Sequence, residues 1–256
     1  MDIKGNCISS INDEHGPIYV YQTRTSRILS FDGKIYQSSM KLKDINGLAL
    51  GYTQAMMAGL LFIPTVKTAT IMGLGAGSMA KNLLSSFSEL QVHAVEYRAA
   101  VAKTATEYFY LPDTDRLCIH IDDAVNYMKH TDIKSDIIFS DLYNAKGMEP
   151  KQVQQSYLRD CKQALNQQGV LVLNIWHTTV NLREELDELL AGVFDNQLLS
   201  FEVDSGNTIV LAFKNDIPAL KEQDLLAKGQ WLQQEMNIPM EPYAKLLFET
   251  QHFCDE

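Results

Sequence analysis

Four stretches of this chain end an apolar run on residues able to bind a ligand or do acid–base work. Thr68-Ala69-Thr70-Ile71-Met72 runs into Gly73-Leu74-Gly75-Ala76-Gly77-Ser78, and an amphipathic segment follows. Glycines let a chain turn sharply and approach a ligand without a Cβ, and the helix that follows offers free N–H groups at its start. Gln91 to Val95 ends at Glu96, roughly 20 residues past the glycines, where a carboxylate can accept from both ribose hydroxyls or stand as a solvated strand end. Asp122-Asp123-Ala124 opens a helix. One aspartate can cap it while the other accepts from an adenine amino group. Asp141 closes the run Ile137-Ile138-Phe139-Ser140, where a carboxylate needs a partner or a ligand. Tyr143 and Asn144 beyond it could complete a polar wall or be ordinary loop-tip residues. The histidines carry less. His93 lies within a strand and His120 near a strand end. His177, beyond Trp176, could border the same crevice. None belongs to a nucleophile or H-E-x-x-H motif.

These residues need elements that bring them to one edge. The periodicity predicts strands at 68–73, 91–96, 117–121, 136–141 and 170–175, alternating with helices at 77–87, 99–109, 123–130, 150–167 and 181–194. Such alternation, with near-continuous apolar strands, predicts a mostly parallel sheet covered on both faces. Ligands then collect outside the carboxyl ends of the strands, where all four stretches finish. Strands at 197–203 and 207–213, joined near Ser205-Gly206, predict an antiparallel end. Ahead of this lies a small antiparallel β-unit. It holds Ile18-Tyr19-Val20-Tyr21 and Ile28-Leu29-Ser30-Phe31, and an Asp32-Gly33 hairpin turn leads into Lys34-Ile35-Tyr36-Gln37. A helix is expected from Leu48 to Phe62, stopped by Pro64. The expected division is a β-subdomain at 1–47, a Rossmann-like nucleotide-binding domain at 48–216 and a helical tail at 217–256.

Composition bounds the reading. In 256 residues, 46% are apolar and 21% charged, as in ordinary globular proteins, and the net charge of −10 argues against non-specific nucleic-acid binding. Cys7, Cys118, Cys161 and Cys254 form no C-x-x-C pair, so neither a metal nor a disulfide framework is expected; Cys118 and Cys161 read as small core residues. The apolar run around Ala55 to Pro64 is too short to span a bilayer and the N-terminus lacks a signal-peptide pattern, so no membrane association and a cytoplasmic location are expected.

The motifs together resemble the spermidine synthase (polyamine aminopropyltransferase) family on the S-adenosylmethionine-dependent methyltransferase fold. The likeness runs through Gly16 to Val20, Phe31 to Gln37, Tyr52 to Met56 and Gly73 to Ser78. It continues through Val95-Glu96, Asp123 to Met128, Asp136 to Asp141 and Gly169 to Trp176. It implies an N-terminal β-domain, a seven-stranded nucleotide-binding domain and assembly as a homodimer or larger. The co-substrate would be S-adenosylmethionine or its decarboxylated form, and the partner a small amine or polyamine. Gln37, Gly73, Gly75, Gly77, Glu96, Asp122, Asp123, Ala124 and Asp141 would contact the nucleotide, and Tyr52 and Tyr143 the amine. Asp141 and Asn144 occupy the two ends of the family's catalytic D-x-x-D loop.

Three departures matter. The usual glycine turn reads G-G-G-D-G, and Ala76 stands at its Asp; the second loop aspartate is Asn144; a tyrosine beside the amine is replaced by Val203. An amide accepts a hydrogen bond but is no base at neutral pH. The change argues against full aminopropyl transfer. Ala76 also removes a carboxylate that would repel intact S-adenosylmethionine. Alkyl transfer to an amine is therefore expected. The alternatives are methyl transfer and a non-catalytic nucleotide-binding protein.

Overall fold

The computed structural model describes residues 3–176, 180–204 and 206–253. His177, Ser205 and Cys254, named above, lie outside them. Five strands, β1 (Asn6–Asp13), β2 (Gly16–Gln22), β3 (Ser26–Ser30), β4 (Ser38–Lys41) and β5 (Asp44–Leu48), form an antiparallel meander. Residues 34–37 are not a strand. The Asp32 carboxylate accepts from the backbone N–H of Lys34 and Ile35, and the Ser30 hydroxyl accepts from that of Gly33. These side-chain bonds hold a wider turn than the two-residue hairpin expected from Asp32-Gly33.

Helix α1 (Gly51–Met56) gives way to a 3₁₀ turn over Met57–Phe62, so the expected single helix is split. All six residues of that turn are buried, and a Cβ on Gly59 would meet Val172 at 2.6 Å. Tighter winding narrows a segment pressed this closely onto a sheet. There follow β6 (Thr68–Met72), α2 (Ser78–Ser86), β7 (Gln91–Glu96), α3 (Ala99–Phe109), β8 (Leu117–Ile121), α4 (Ala124–His130) and β9 (Ser135–Ser140). A two-residue hairpin, β10 (Tyr143–Asn144) with β11 (Gly147–Met148), leads to a 3₁₀ turn at Pro150–Val153. Next come α5 (Gln155–Ala164), β12 (Leu165–Trp176), α6 (Val180–Phe194), β13 (Leu198–Glu202) and β14 (Asn207–Phe213). The chain closes on α7 (Glu222–Met236) and α8 (Glu241–Phe253).

The helix expected over 150–167 is thus a turn, an extended break at Gln154 and a shorter helix. The buried Gln152 side chain explains the break. Its oxygen accepts from the Ser140 hydroxyl and the Leu142 N–H, and its amide donates to the Asn174 carbonyl. A buried amide takes the geometry that satisfies it, and here that means pulling the turn in against two strand ends.

The seven-stranded sheet has the order β13-β14-β12-β9-β6-β7-β8, parallel except where β14 meets its two neighbours. The strand order reverses between β6 and β9, which is where an open α/β sheet holds its ligand. The C-terminal helices belong to the main core: Leu225, Leu232, Met236, Ala244 and Leu247 are buried in the same cluster as Ala69, Ile71 and Ile137. Cys161 is buried as expected. Cys118 is not a core residue; it is exposed on β8, the edge strand.

The β-subdomain is tied to the larger sheet by cations. Arg98 donates to both oxygens of Asp13, at 3.0 and 2.7 Å, and holds that carboxyl below its usual range. Lys81 on α2, buried at 2% exposure, meets the Met40 sulfur of β4 at 3.1 Å and donates to the Phe109 carbonyl at 2.6 Å, and burial pushes its ammonium down to about 8. Arg27 donates to the Tyr108 carbonyl. Residues 108–109 end α3, where carbonyls point outward and cations are favoured. No helix among the described residues is long and apolar enough to cross a membrane.

Candidate active site

Gly73 and Gly75 border the site, with Gly77 directly behind them. Gly73, Gly75 and Gly77 all have positive φ, at 91°, 54° and 72°. A Cβ on Gly73 would lie 2.4 Å from the Asp141 carbonyl oxygen, and one on Gly77 would lie 2.5 Å from Leu111. Conformation and space therefore both require glycine at these two positions. The loop after β6 and the loop after β9 touch there, at the switch point. Helix α2 starts at Gly77 with no side chain capping it, so its first N–H groups are open to a ligand.

These loops border a cavity of about 580 Å³ between the two sheets, within the usual range for a small-molecule site. Gln37, Tyr52, Gly73, Gly75, Glu96, Asp122, Asp123, Ala124, Asp141, Tyr143 and Asn144 all line it. Of the residues expected here, Gly77 alone stands behind the wall, packed on Leu111.

Glu96, 8% exposed, accepts from the Arg98 N–H at 3.0 Å and the Gly75 N–H at 3.3 Å, one on each oxygen. Burial raises its pKa, and those N–H groups work against the rise. The carboxylate is thereby aimed, with lone pairs to spare for a ligand's hydroxyls. We expect Glu96→Gln to weaken nucleotide binding by roughly 10- to 100-fold, the equivalent of a charge-assisted hydrogen bond of about 1.5–3 kcal/mol. Calorimetric titration of both forms checks this.

The two aspartates of the next corner are both engaged. Asp123 caps α4, accepting from the Val125 and Asn126 N–H groups, and its other oxygen meets Lys151 at 2.8 Å. Asp122 accepts from the Asn126 side chain. Asp123 is thus the cap that the sequence led one to expect, and Asp122 stands beside it at the cavity wall, anchored by Asn126.

Asp141 is held from two sides. Tyr52 donates to it at 3.3 Å and Asn174 at 2.8 Å, while Asn207 donates to the Asn174 side-chain carbonyl oxygen at 2.8 Å. Desolvation by the surrounding protein pushes the Asp141 carboxyl up to about 6, against the two hydrogen bonds. The same environment, with Asp141 beside it, raises the Tyr52 phenol far above its ordinary value. Asn144 donates to Glu149 at 3.1 Å, and both face the cavity. The chain Asn207–Asn174–Asp141 was not read from sequence. Its available signal was Asn174 itself, an amide in the apolar run Val170 to Ile175.

Two further positions depart from expectation. The Ala76 side chain is fully buried, packed with Ile18, Val20, Met40 and Phe109, and does not line the cavity. Val203 packs on the main core, and Trp176 and Asn207 wall the cavity near it instead.

The architecture has close parallels. A probable spermidine synthase from Corynebacterium glutamicum superposes with a TM-score of 0.74 over 93% of this chain and 92% of its own, at 20% identity. A polyamine aminopropyltransferase of Neisseria meningitidis serogroup A is 30% identical over 202 residues, covering 78% of this chain and 75% of that protein. The eEF1A lysine and N-terminal methyltransferase of Mus musculus is 29% identical over 167 residues, covering 59% of this chain and 24% of that much longer protein. The family model for the spermine/spermidine synthase domain matches residues 51–196. That span, more than half of the chain, takes in the glycine turn, Glu96, the Asp122–Ala124 corner and the Asp141–Asn144 loop, and with it this chain belongs to the spermine/spermidine synthase family.

Proposed function

We propose that this chain transfers an alkyl group from a sulfonium nucleotide of the S-adenosylmethionine type to an amine, the group being aminopropyl and the acceptor a small di- or polyamine. The observation that carries this reading is Asp141, fixed by Tyr52 and Asn174 and opening into the cavity that the glycine turn and Glu96 share. Glu96 would take the ribose hydroxyls, Asp122 to Ala124 the adenine edge, and Gln37 the nucleotide's tail. Tyr52 and Tyr143 would flank the amine. In the reaction the amine lone pair forms a new C–N bond to the carbon beside the sulfonium. The C–S electron pair stays on sulfur as a neutral thioether, and the proton shed by nitrogen passes to the Asp141 carboxylate. A carboxylate with its pKa near 6 is ionised at neutral pH and still basic enough to hold that proton briefly.

A second reading, methyl transfer from intact S-adenosylmethionine, is favoured by one specific observation. Among the relatives is an eEF1A lysine and N-terminal methyltransferase, 29% identical over 167 residues. Methyl transfer also leans more on alignment than on a base. Titration of the protein with S-adenosylmethionine, its decarboxylated form and methylthioadenosine separates the two. Tighter binding of the decarboxylated form, with aminopropylated product by mass spectrometry from an amine panel, is expected. Preference for the intact form with methylated product would replace the first reading by the second. Binding of none would leave the fold without this chemistry.

A further inference from the structure

His93, Cys118 and His120 lie outside the cavity, on one face of the sheet edge. Parallel pairing sets His93 beside Cys118 and Val95 beside His120. Cys118 and His120 are two residues apart on one strand and so share a face. The three side chains are therefore brought together by backbone pairing of β7 with β8, not by a loop. One donor atom from each lies within 4.8 Å of the other two. The Nδ1 of His93 is 3.2 Å from the Nε2 of His120.

We propose that His93, Cys118 and His120 form a binding site for a zinc-class divalent cation. Zinc bound to imidazole at about 2.0–2.1 Å in a tetrahedron separates its nitrogen ligands by about 3.4 Å. The observed imidazole pair is already close to that spacing. Cys118 is exposed, so its side chain can rotate the remaining distance without repacking a core. Two imidazoles and one thiolate select zinc or its soft neighbours over magnesium and calcium, which prefer oxygen. The set leaves one coordination position for water. The Tyr127 ring packs on His120 at 4.7 Å. A hydrogen bond between two neutral histidines explains the imidazole spacing alone. It does not account for a thiol gathered at the same point.

Cobalt(II) titration of the full chain, purified metal-free with its thiols reduced, tests this. We expect one equivalent to give sulfur-to-cobalt charge-transfer absorption and tetrahedral ligand-field bands, and zinc to bleach both. Cys118→Ser should abolish the charge-transfer band. His120→Gln should weaken binding by more than about tenfold, the least that loss of a supporting contact around a metal costs. A Cys7→Ala, Cys254→Ala double variant should bind as the parent does. Zinc should also raise the melting temperature of the parent and leave that of Cys118→Ser unchanged, because a ligand selective for the folded state stabilises it. Absence of the sulfur-to-cobalt band in the parent, its survival in Cys118→Ser, or its loss in the double cysteine variant would each overturn the site.

Discussion

Asp141→Asn should lower alkyl transfer to the amine by about 10²–10⁴, the usual cost of removing a general base, without unfolding the protein. Asparagine can still accept from Asn174 and meet Tyr52, so the hydrogen-bond frame around position 141 is kept. Stability should move the other way. The folded-state pKa of Asp141 is raised from 3.8 to about 6. A raised carboxylate contributes stability below its unfolded pKa and loses it as pH rises through the folded one. At pH 7 the native protein thus carries a desolvated charge, and Asp141→Asn relieves it by an amount on the order of 1–2 kcal/mol after allowing for contact with the cavity. The same pKa shapes the pH profile. In the parent, kcat/KM should fall below an enzyme inflection near pH 6, superposed on the slope from ionisation of the amine itself. In Asp141→Asn that inflection should vanish. Steady-state assays from pH 5 to 9, with urea melts at pH 7, check both halves. A variant as active as the parent, or one that loses activity only by unfolding, would remove Asp141 from the chemistry.

The residues that were legible in sequence share a physical cause. Gly73 and Gly77 stand where any Cβ would strike a neighbour, and strand periodicity places Glu96, Asp122 and Asp141 at the ends of β7, β8 and β9. Glycine and acid at strand ends are visible without contacts. The supporting amides are not. Asn174, Asn207 and Gln152 matter through partners 10 to 33 residues away, and one sequence holds no sign of which buried amide faces which acid. The misreading of Cys118, and the silence of the sequence on where the C-terminal helices pack, have a related origin. An apolar strand pattern does not say that β8 is the edge, and a helical pattern does not say that α7 and α8 complete the main core.

Ala76 shows how the structure changes an argument made from motif alone. The motif ties a carboxylate there to nucleotide choice, yet here the Ala76 side chain turns away from the cavity and the position cannot simply be restored. An Asp side chain in place of the buried methyl would enter a cluster of Ile18, Val20, Met40 and Phe109. An unpaired carboxylate in such surroundings costs several kcal/mol.

Asn144 is the position at which aminopropyl transfer should be raised. It lines the cavity, three residues past Asp141, on the short hairpin strand β10. Its amide donates to Glu149 and its carbonyl accepts from the Lys146 N–H. Asn144→Asp keeps the second contact and turns the first into two facing carboxylates. Like charges at that separation do not both ionise freely; one keeps its proton to higher pH. The variant would therefore carry a base of raised pKa beside the amine, together with an added negative charge for a polyamine. We expect aminopropyl transfer to putrescine or a similar diamine to rise on the order of 10²-fold, the lower end of what a positioned base supplies. Assays with the decarboxylated nucleotide measure it. Glu149→Gln in the Asn144→Asp background separates the two carboxylates: it should keep the gain in rate while moving its pH dependence toward acid, because the introduced carboxylate then titrates without a charged neighbour. A well-folded Asn144→Asp protein with no gain would mean that the amine does not approach this hairpin, and would shift the balance to methyl transfer, for which alignment over Asp141 is enough.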